Sequence, residues 1–291
     1  MSQADALTGK ALVDAAISDV GEIATLPEVT VKIIQIVENP KSTARDLHEV
    51  IKNDPALSAR ILKVVNSAFY GLPGQIASID RAIVLLGLSA VKNIAIAASM
   101  THLFNSGPAI EGFSGSEVWK HSIGTGVAAR MLSAAQGRPT VEESFLGGII
   151  ADLGLLVERQ VFPKQLAEVI AQLDADGGDF CELEQQVIGA DHQAFGAALA
   201  GKWRFPQPLC TTIGYHHKPH VLAPAMRELP TLVCIADILV SRLGMGFCTY
   251  GEDMEIPMEF LDVVKLTPEA VQNVMDQLPE QVALVENIFA S

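Results

Sequence analysis

Aromatic residues are scarce: Phe, Trp and Tyr together make up 5% of the 291 residues. The interior must therefore be built mainly from aliphatic side chains. Cysteine is also rare, with four residues, Cys181, Cys210, Cys234 and Cys248, widely spaced and without a Cys-x-x-Cys pair. That spacing points to reduced core thiols rather than to a disulfide framework or a zinc knuckle. Basic residues number 20 against 34 acidic ones, a formal charge of −14. With so few clustered cations, a broad nucleic-acid-binding surface is not expected, nor is docking on anionic membrane. No uninterrupted apolar run reaches the roughly 18 residues of a membrane span. The longest, Phe145 to Val157, is too short and contains Asp152. Met1 to Ala15 lacks a basic segment followed by an apolar one, so no signal peptide is evident and a cytoplasmic location is expected. Internal repeats and low-complexity stretches are absent as well.

Apolar residues make up 49% of the chain and charged residues 19%, which excludes intrinsic disorder. The length suits one or two domains with a full hydrophobic core. Helical periodicity dominates and strand alternation is nearly absent, so the spacing predicts an all-α protein of about a dozen helices. Start signals are legible. Asp54-Pro55 offers an N-cap followed by Pro in the first turn, and Leu57, Ile61, Leu62 and Val65 then keep one apolar face. Ser78 is placed to cap 79–86, with Gly87 ending that helix in the left-handed conformation. Ser89 starts 90–104, Ser116 starts a helix to about Gln136 that Gly137 stops, Thr267-Pro268 opens a late helix, and Pro279 opens the last one.

The most linker-like stretch is Asn105-Ser-Gly-Pro108, with Gly112 and Gly115 following. Residues 1–108 hold 9 basic and 10 acidic residues, a net of −1; residues 109–291 hold 11 and 24, a net of −13. The expected division is an N-terminal helical bundle over 1–108, a second helical bundle over 109–250 and a C-terminal helical extension over 251–291. The near-neutral first part is the better suited to packing against another protein.

Five of the seven histidines, His121, His192, His216, His217 and His220, fall in the acidic part. Asp152 and Asp237 each interrupt an apolar run there. A buried carboxylate needs a partner, and histidines on neighbouring helices are candidates. Two readings stay open on spacing alone. Imidazoles and carboxylates converging in a helical bundle can hold a divalent metal, which would acidify a bound water and polarise a phosphoryl oxygen. Alternatively, each His is a hydrogen-bonded core residue and each Asp caps a helix or bonds one His.

The ordered motifs narrow the choice. Leu26-Pro27 is followed by Asn53-Asp-Pro-Ala-Leu-Ser-Ala-Arg-Ile-Leu-Lys-Val-Val-Asn-Ser-Ala-Phe-Tyr-Gly71 and Ile76-Ala-Ser-Ile-Asp-Arg-Ala-Ile-Val-Leu-Leu-Gly87. Then come Trp119-Lys-His-Ser122, Gly189-Ala-Asp-His-Gln-Ala-Phe-Gly196, Trp203-Arg-Phe-Pro206 and His216-His-Lys-Pro219. Together, over roughly residues 20–242, these resemble the HDOD family, HD-related output domains of bacterial signalling proteins. The resemblance implies an N-terminal bundle packed on a degenerate HD-like bundle. It also implies a ligand set inherited from HD and HD-GYP phosphohydrolases: His121, Asp152, His192 with Gly196, the pair His216-His217, and Asp237. The defining His-Asp doublet is broken, because Ala151 stands where its His is expected. No Gly-Tyr-Pro sequence follows the histidine pair, and Lys218 replaces an acidic residue there. Asp54, Pro55, Asn66, Ser67, Gly71 and Gly87 read first as capping and helix-ending devices. Phe69 and Tyr70 would be anchors for a partner if exposed and core residues if buried.

The implied function is a non-catalytic signal-transduction module that regulates a signalling protein of a two-component or cyclic-dinucleotide pathway by direct contact. Its HD-type cleft would be vestigial and no cofactor would be required. Two alternatives accompany it: a metal-dependent phosphohydrolase using Mn, Fe or Mg at the altered site, with Lys218 holding a phosphate, and a nucleotide or metal sensor without turnover. Neither nucleic acid nor membrane is an expected partner, and the sequence leaves the oligomeric state open.

Overall fold

A computed structural model describes residues 9–21, 26–38, 41–105, 107–137, 141–249 and 254–289. Among these there are seventeen α-helices, several of them one to two turns long, and no strand or sheet. The higher count than the expected dozen comes from breaks within long apolar stretches, such as the turn at Ala151-Asp152.

The first helices are α1 (Gly9–Asp19), α2 (Glu28–Glu38), α3 (Ala44–Ile51), α4 (Pro55–Val65) and α5 (Ile79–Leu86). Asp54 caps α4 by accepting the Leu57 N–H, with Pro55 at its first position. Asn66 ends it: its Nδ2 donates to the Leu62 and Ile76 carbonyls, both at 2.8 Å, and its Oδ1 accepts the Ile76 N–H at 2.7 Å. Ser67 Oγ donates to the Val64 carbonyl. Ser78 caps α5, which ends at Gly87 with φ 90° and ψ 158°. That φ is positive as expected, but the ψ is extended, not left-handed helical. Extended geometry lets the chain turn straight into α6 (Leu88–Asn105), which begins one residue ahead of Ser89.

α6 joins the two parts. It packs on α2, α4 and α5 on one side and on α7 (Gly115–Ala135) and α8 (Val141–Ile150) on the other. α7 starts at Gly115 after Ser114 rather than at Ser116, and it stops beside Gly137, where φ is 71°. Ser106 of the linker-like stretch lies outside the described residues, as do residues 1–8 and 250–253. The stretch around it is pinned: the buried Arg159 guanidinium donates to the carbonyls of Phe104 (2.9 Å), Gly107 (3.3 Å) and Pro108 (2.9 Å). Phe69 and Tyr70 are buried. Arg130 of α7 lies over both rings, and the Tyr70 hydroxyl bonds Glu142, so the pair belongs to the core between the two parts.

The second part continues with α9 (Leu153–Val161), α10 (Pro163–Asp176), α11 (Phe180–Val187), α12 (His192–Lys202), α13 (Gln207–Tyr215) and α14 (Glu228–Arg242), with 3₁₀ turns at Pro219–Val221 and Pro224–Met226. α1 packs on α9 and α12 rather than on α2–α6, and Lys202 donates to the Ile17 carbonyl at 2.8 Å. The last helices are α15 (Met258–Val264), on α14, α16 (Pro268–Ala283), on α7, and α17 (Glu286–Phe289), on α4 and α7. Thr267 caps α16 as expected. Pro279 does not open a helix: it lies inside α16, whose buried Val274, Leu278 and Val282 hold the helix through the lost backbone bond.

Candidate metal centre

Five helices deliver the six candidate residues. His121 is on α7 and Asp237 on α14, Asp152 immediately precedes α9, His192 is the first residue of α12, and His216-His217 follow α13. Local signals fix these positions. Asp191 caps α12 by accepting the Ala194 N–H at 2.9 Å, which sets His192 at the helix start. Gly154 and Gly196 let α9 and α12 cross in backbone contact. A methyl at Gly154 would overlap the His192 carbonyl, and one at Gly196 would sit 2.7 Å from Ile213. Asp152 stands at an N-cap position but makes no capping bond, so its carboxylate is left to face the histidines.

All six residues converge. His121, Asp152, His192, His216 and Asp237 are at most 3% exposed. Asp152 Oδ1 lies 3.4 Å from His216 Nε2 and 3.7 Å from His192 Nε2. Asp152 also comes within 3.9 Å of His121 Nε2, through its other oxygen. His217 Nε2 is 3.0 Å from His192 Nε2, which is 3.4 Å from His216 Nε2. One ligand atom each from Asp152, His192, His216 and His217 lie mutually within 4.8 Å. His121 Nε2 is 2.8 Å from Asp237 Oδ1, and its Nδ1 is 3.2 Å from the Met245 carbonyl.

The hydrogen bonds assign the ring protons. His216 Nδ1 donates to the Ile213 carbonyl at 2.9 Å. His192 Nδ1 donates to the Glu184 carboxylate at 2.8 and 2.9 Å. In neutral rings both Nε2 atoms then carry lone pairs, and these point at one another and at a carboxylate oxygen. Asp152 Oδ1 and Asp237 Oδ2 are buried without any donor. A cation between them, whether a metal ion or a proton on one ring nitrogen, would relieve lone pairs facing lone pairs in a dry interior. Three imidazoles and one carboxylate fit a divalent transition metal.

Electrostatics agree with that arrangement. Burial raises the Asp152 pKa, but the close approach of His216, with His121 and His192, to the carboxylate outweighs it and holds the carboxyl below its ordinary range. Burial opposes charge on His121, yet its bonds to Asp237 and Cys248 and the charges of Asp237 and Asp152 raise it well above the usual imidazole value. Burial and the other histidines push His217 well below that value, favouring the neutral ligand form.

Two residues of the centre escape a reading of the spacing alone. Glu184, fully buried on α11, also accepts the His192 backbone N–H at 3.1 Å and so fixes both the tautomer and the position of that ring. Behind it, Glu158 of α9 is fully buried and neither of its oxygens has a donor. Burial, then the Glu184 charge, push its carboxyl well above the ordinary range. Burial raises the Glu184 carboxyl as well, so the two acids favour holding a proton between them. Glu158 carried only a weak signal, since it directly follows the apolar run Leu153-Gly-Leu-Leu-Val157 and precedes the polar Arg159-Gln160.

The centre reaches solvent at one edge. His217 borders two clefts, of about 240 and 560 Å³. Their walls carry Asp179, Glu182 and Asp191. Lys218 does not stand free for a phosphate, because its Nζ is 2.8 Å from Asp191 Oδ2. His220 lines the outer cleft and takes no part in the cluster.

An uncharacterized protein of Treponema pallidum (strain Nichols) is 28% identical over 260 residues, 88% of this chain and 48% of that protein, so the chain spans about half the length of this relative. The structure of an HDOD domain protein of unknown function from Geobacter sulfurreducens is similar with a TM-score of 0.82 at 22% identity, covering 96% of this chain and 97% of that one. A protein from Shewanella amazonensis SB2B, provisionally named a phosphohydrolase, is similar with a TM-score of 0.73 at 24% identity, covering 95% and 98%. Both likenesses concern the fold. No helix among the described residues is long and apolar enough to cross a membrane. The family model of the HDOD domain matches residues 23–219, well over half of the sequence, and the chain belongs to the HDOD family.

Proposed function

We propose that the chain is a metal-holding but non-catalytic regulatory module that acts on a signalling protein, of a two-component or cyclic-dinucleotide pathway, by direct contact in the cytoplasm. The observation that carries this reading is the burial of the centre. Five of its six side chains are sealed off, and the sixth, His217, opens only onto clefts walled by Asp179, Glu182 and Asp191. A phosphoester anion entering there meets carboxylates, and the one nearby lysine is already paired. Ala151 removes a ligand from the His121–Asp237 side, leaving that pair bonded to each other.

Asp152, His192, His216 and His217 would hold the cation, with His121 and Asp237 beside it. When bound it would neutralise the buried carboxylates and fix the helices that carry them. The nitrogen-rich donor set suits manganese, iron(II) or zinc better than magnesium, which prefers oxygen.

The alternative of an active phosphohydrolase is favoured by the surviving ligands around Asp152. One assay separates the two. Purified protein with manganese, iron(II) or magnesium is offered a generic phosphodiester and cyclic dinucleotides, alongside Asp152→Ala. The expected result is no turnover in either protein. Turnover in the wild type that vanishes in Asp152→Ala overturns the regulatory reading.

A further inference from the structure

Lys92 stands in the first turns of α6 with its side chain largely taken out of water. The residue is 9% exposed, and its ammonium makes no hydrogen bond or ion pair among the described residues. Removing an ammonium from water without a partner is costly. Burial lowers its pKa, and the attraction of Glu143 does not make good that loss. Glu142, next in sequence to Glu143, is already taken by Arg130 at 3.0 Å and by the Tyr70 hydroxyl at 3.1 Å.

Lys92 lines a recess of about 190 Å³ where α6, α8, α13 and α14 meet. The recess shares no lining residue with the histidine cluster or its clefts. One wall is the start of α6. Ser89 offers its hydroxyl there, and the leading N–H groups of this 18-residue helix have no acceptor within it. Asn93 is held beside Lys92 by its 2.9 Å bond to the Glu142 carbonyl. Glu143, exposed on α8, gives the recess a negative charge that forms no ion pair with Lys92. Pro208, Leu209 and Leu229 make the remaining wall apolar. A cation at a helix start, a separate anion and an aliphatic surface thus face one small space.

We propose that this recess binds an aliphatic α-amino acid of about the size of leucine. Its carboxylate takes Lys92 and Ser89 at the start of α6, its ammonium faces Glu143, and its side chain packs on Pro208, Leu209 and Leu229. Both polar contacts are charge-assisted. The zwitterion gives Lys92 the partner that the protein withholds. A plain anion would do so while facing the like charge of Glu143, and a plain amine would leave Lys92 unpaired. A volume of about 190 Å³ lies below the range of sites for drug-sized ligands, so the occupant is small.

The probe is L-leucine, titrated into the full chain and followed on its methyl signals by saturation-transfer difference NMR. Saturable binding with a Kd of about 1 mM or tighter is expected. Isocaproate lacks the ammonium and isoamylamine lacks the carboxylate. Each is expected to bind at least about tenfold more weakly, because it forfeits a charge-assisted contact. Lys92→Met removes the cation with little change in volume and is expected to weaken leucine binding at least about tenfold. Lys164→Met removes the same charge at an exposed position on α10 outside the recess and is expected to change the affinity less than about twofold. Glu143→Gln, at an exposed position, is expected to weaken binding of leucine but not of isocaproate. That variant keeps the test intact if circular dichroism shows Lys92→Met unfolded. Equal binding of leucine and isocaproate overturns the proposal. So does a folded Lys92→Met that binds leucine as the wild type does, or an absence of saturation up to about 10 mM. The hydrolysis assay bears on the histidine cluster alone, so neither result decides the other.

Discussion

Asp152, Glu158 and Glu184 divide the work of a buried acid in three ways. The histidines around Asp152 favour its ionised form, Glu184 is an acceptor that aims His192, and burial behind it favours the protonated form of Glu158. The sign of the Glu158 contribution follows. In the unfolded chain it loses its proton near the ordinary carboxyl pKa of about 4.3. In the fold it keeps that proton to much higher pH. Its contribution to stability is therefore full below about pH 4 and is lost progressively as pH rises toward the raised folded value. Glu158→Gln mimics the protonated acid without that loss. Urea unfolding at pH 5 and pH 8 is expected to show a smaller drop in the variant, each unit of pKa displacement being worth about 1.4 kcal/mol. An equal drop in both proteins would mean that Glu158 ionises normally. The six residues expected from the ordered motifs do come together in space. Glu184 was not legible because Phe180–Val187 reads as an ordinary amphipathic helix, and its single inward carboxylate has no distinctive spacing.

Element boundaries were legible where side chains cap them. Asp54, Ser78 and Thr267 each accept the expected backbone N–H, because a cap is a local bond between residues three apart. Pro279 misleads for the complementary reason: its helix is kept by buried neighbours, and that packing is not local. Helix crossings belong to this scale as well. α7 and α8 touch at Gly126 and Gly148, where a methyl on Gly148 would lie 2.6 Å from the Thr125 carbonyl. α9 and α12 touch at Gly154 and Gly196. Gly154→Ala forces the Asp152 helix away from the His192 carbonyl, and backbone cannot rotate aside as a side chain can. It is expected to cost about 2–4 kcal/mol in urea denaturation and to weaken manganese binding in the same protein. Unchanged metal affinity would mean that the crossing does not set the ligand geometry.

Among the described residues one hydrophobic cluster runs from Leu12 to Phe289 without a break into separate cores. α1 and α17 cross between the parts, Arg159 pins the stretch after α6, and Arg130, Glu142 and Tyr70 bridge α7, α8 and the loop after α4. The division near residue 108 was read from composition, which registers the change of charge and not these long-range contacts. Thermal unfolding is therefore expected as a single transition, coincident by tryptophan fluorescence and circular dichroism. A metal present at a hundred times its Kd should raise stability by about 2.7 kcal/mol and shift both signals together. Two transitions, with only one moved by metal, would establish independent units.

Ala151 carries a consequence for descent. Its methyl group is 1% exposed, and protein interiors are close-packed. An imidazole there needs several atoms' worth of room that neighbouring side chains now fill, so overpacking would destabilise the fold before any ligand gain was realised. Reversion to the doublet would need compensating reductions elsewhere to come first. The packing thus acts as a ratchet: a core closed over alanine admits changes at the surface far more readily than the entry of an imidazole at position 151.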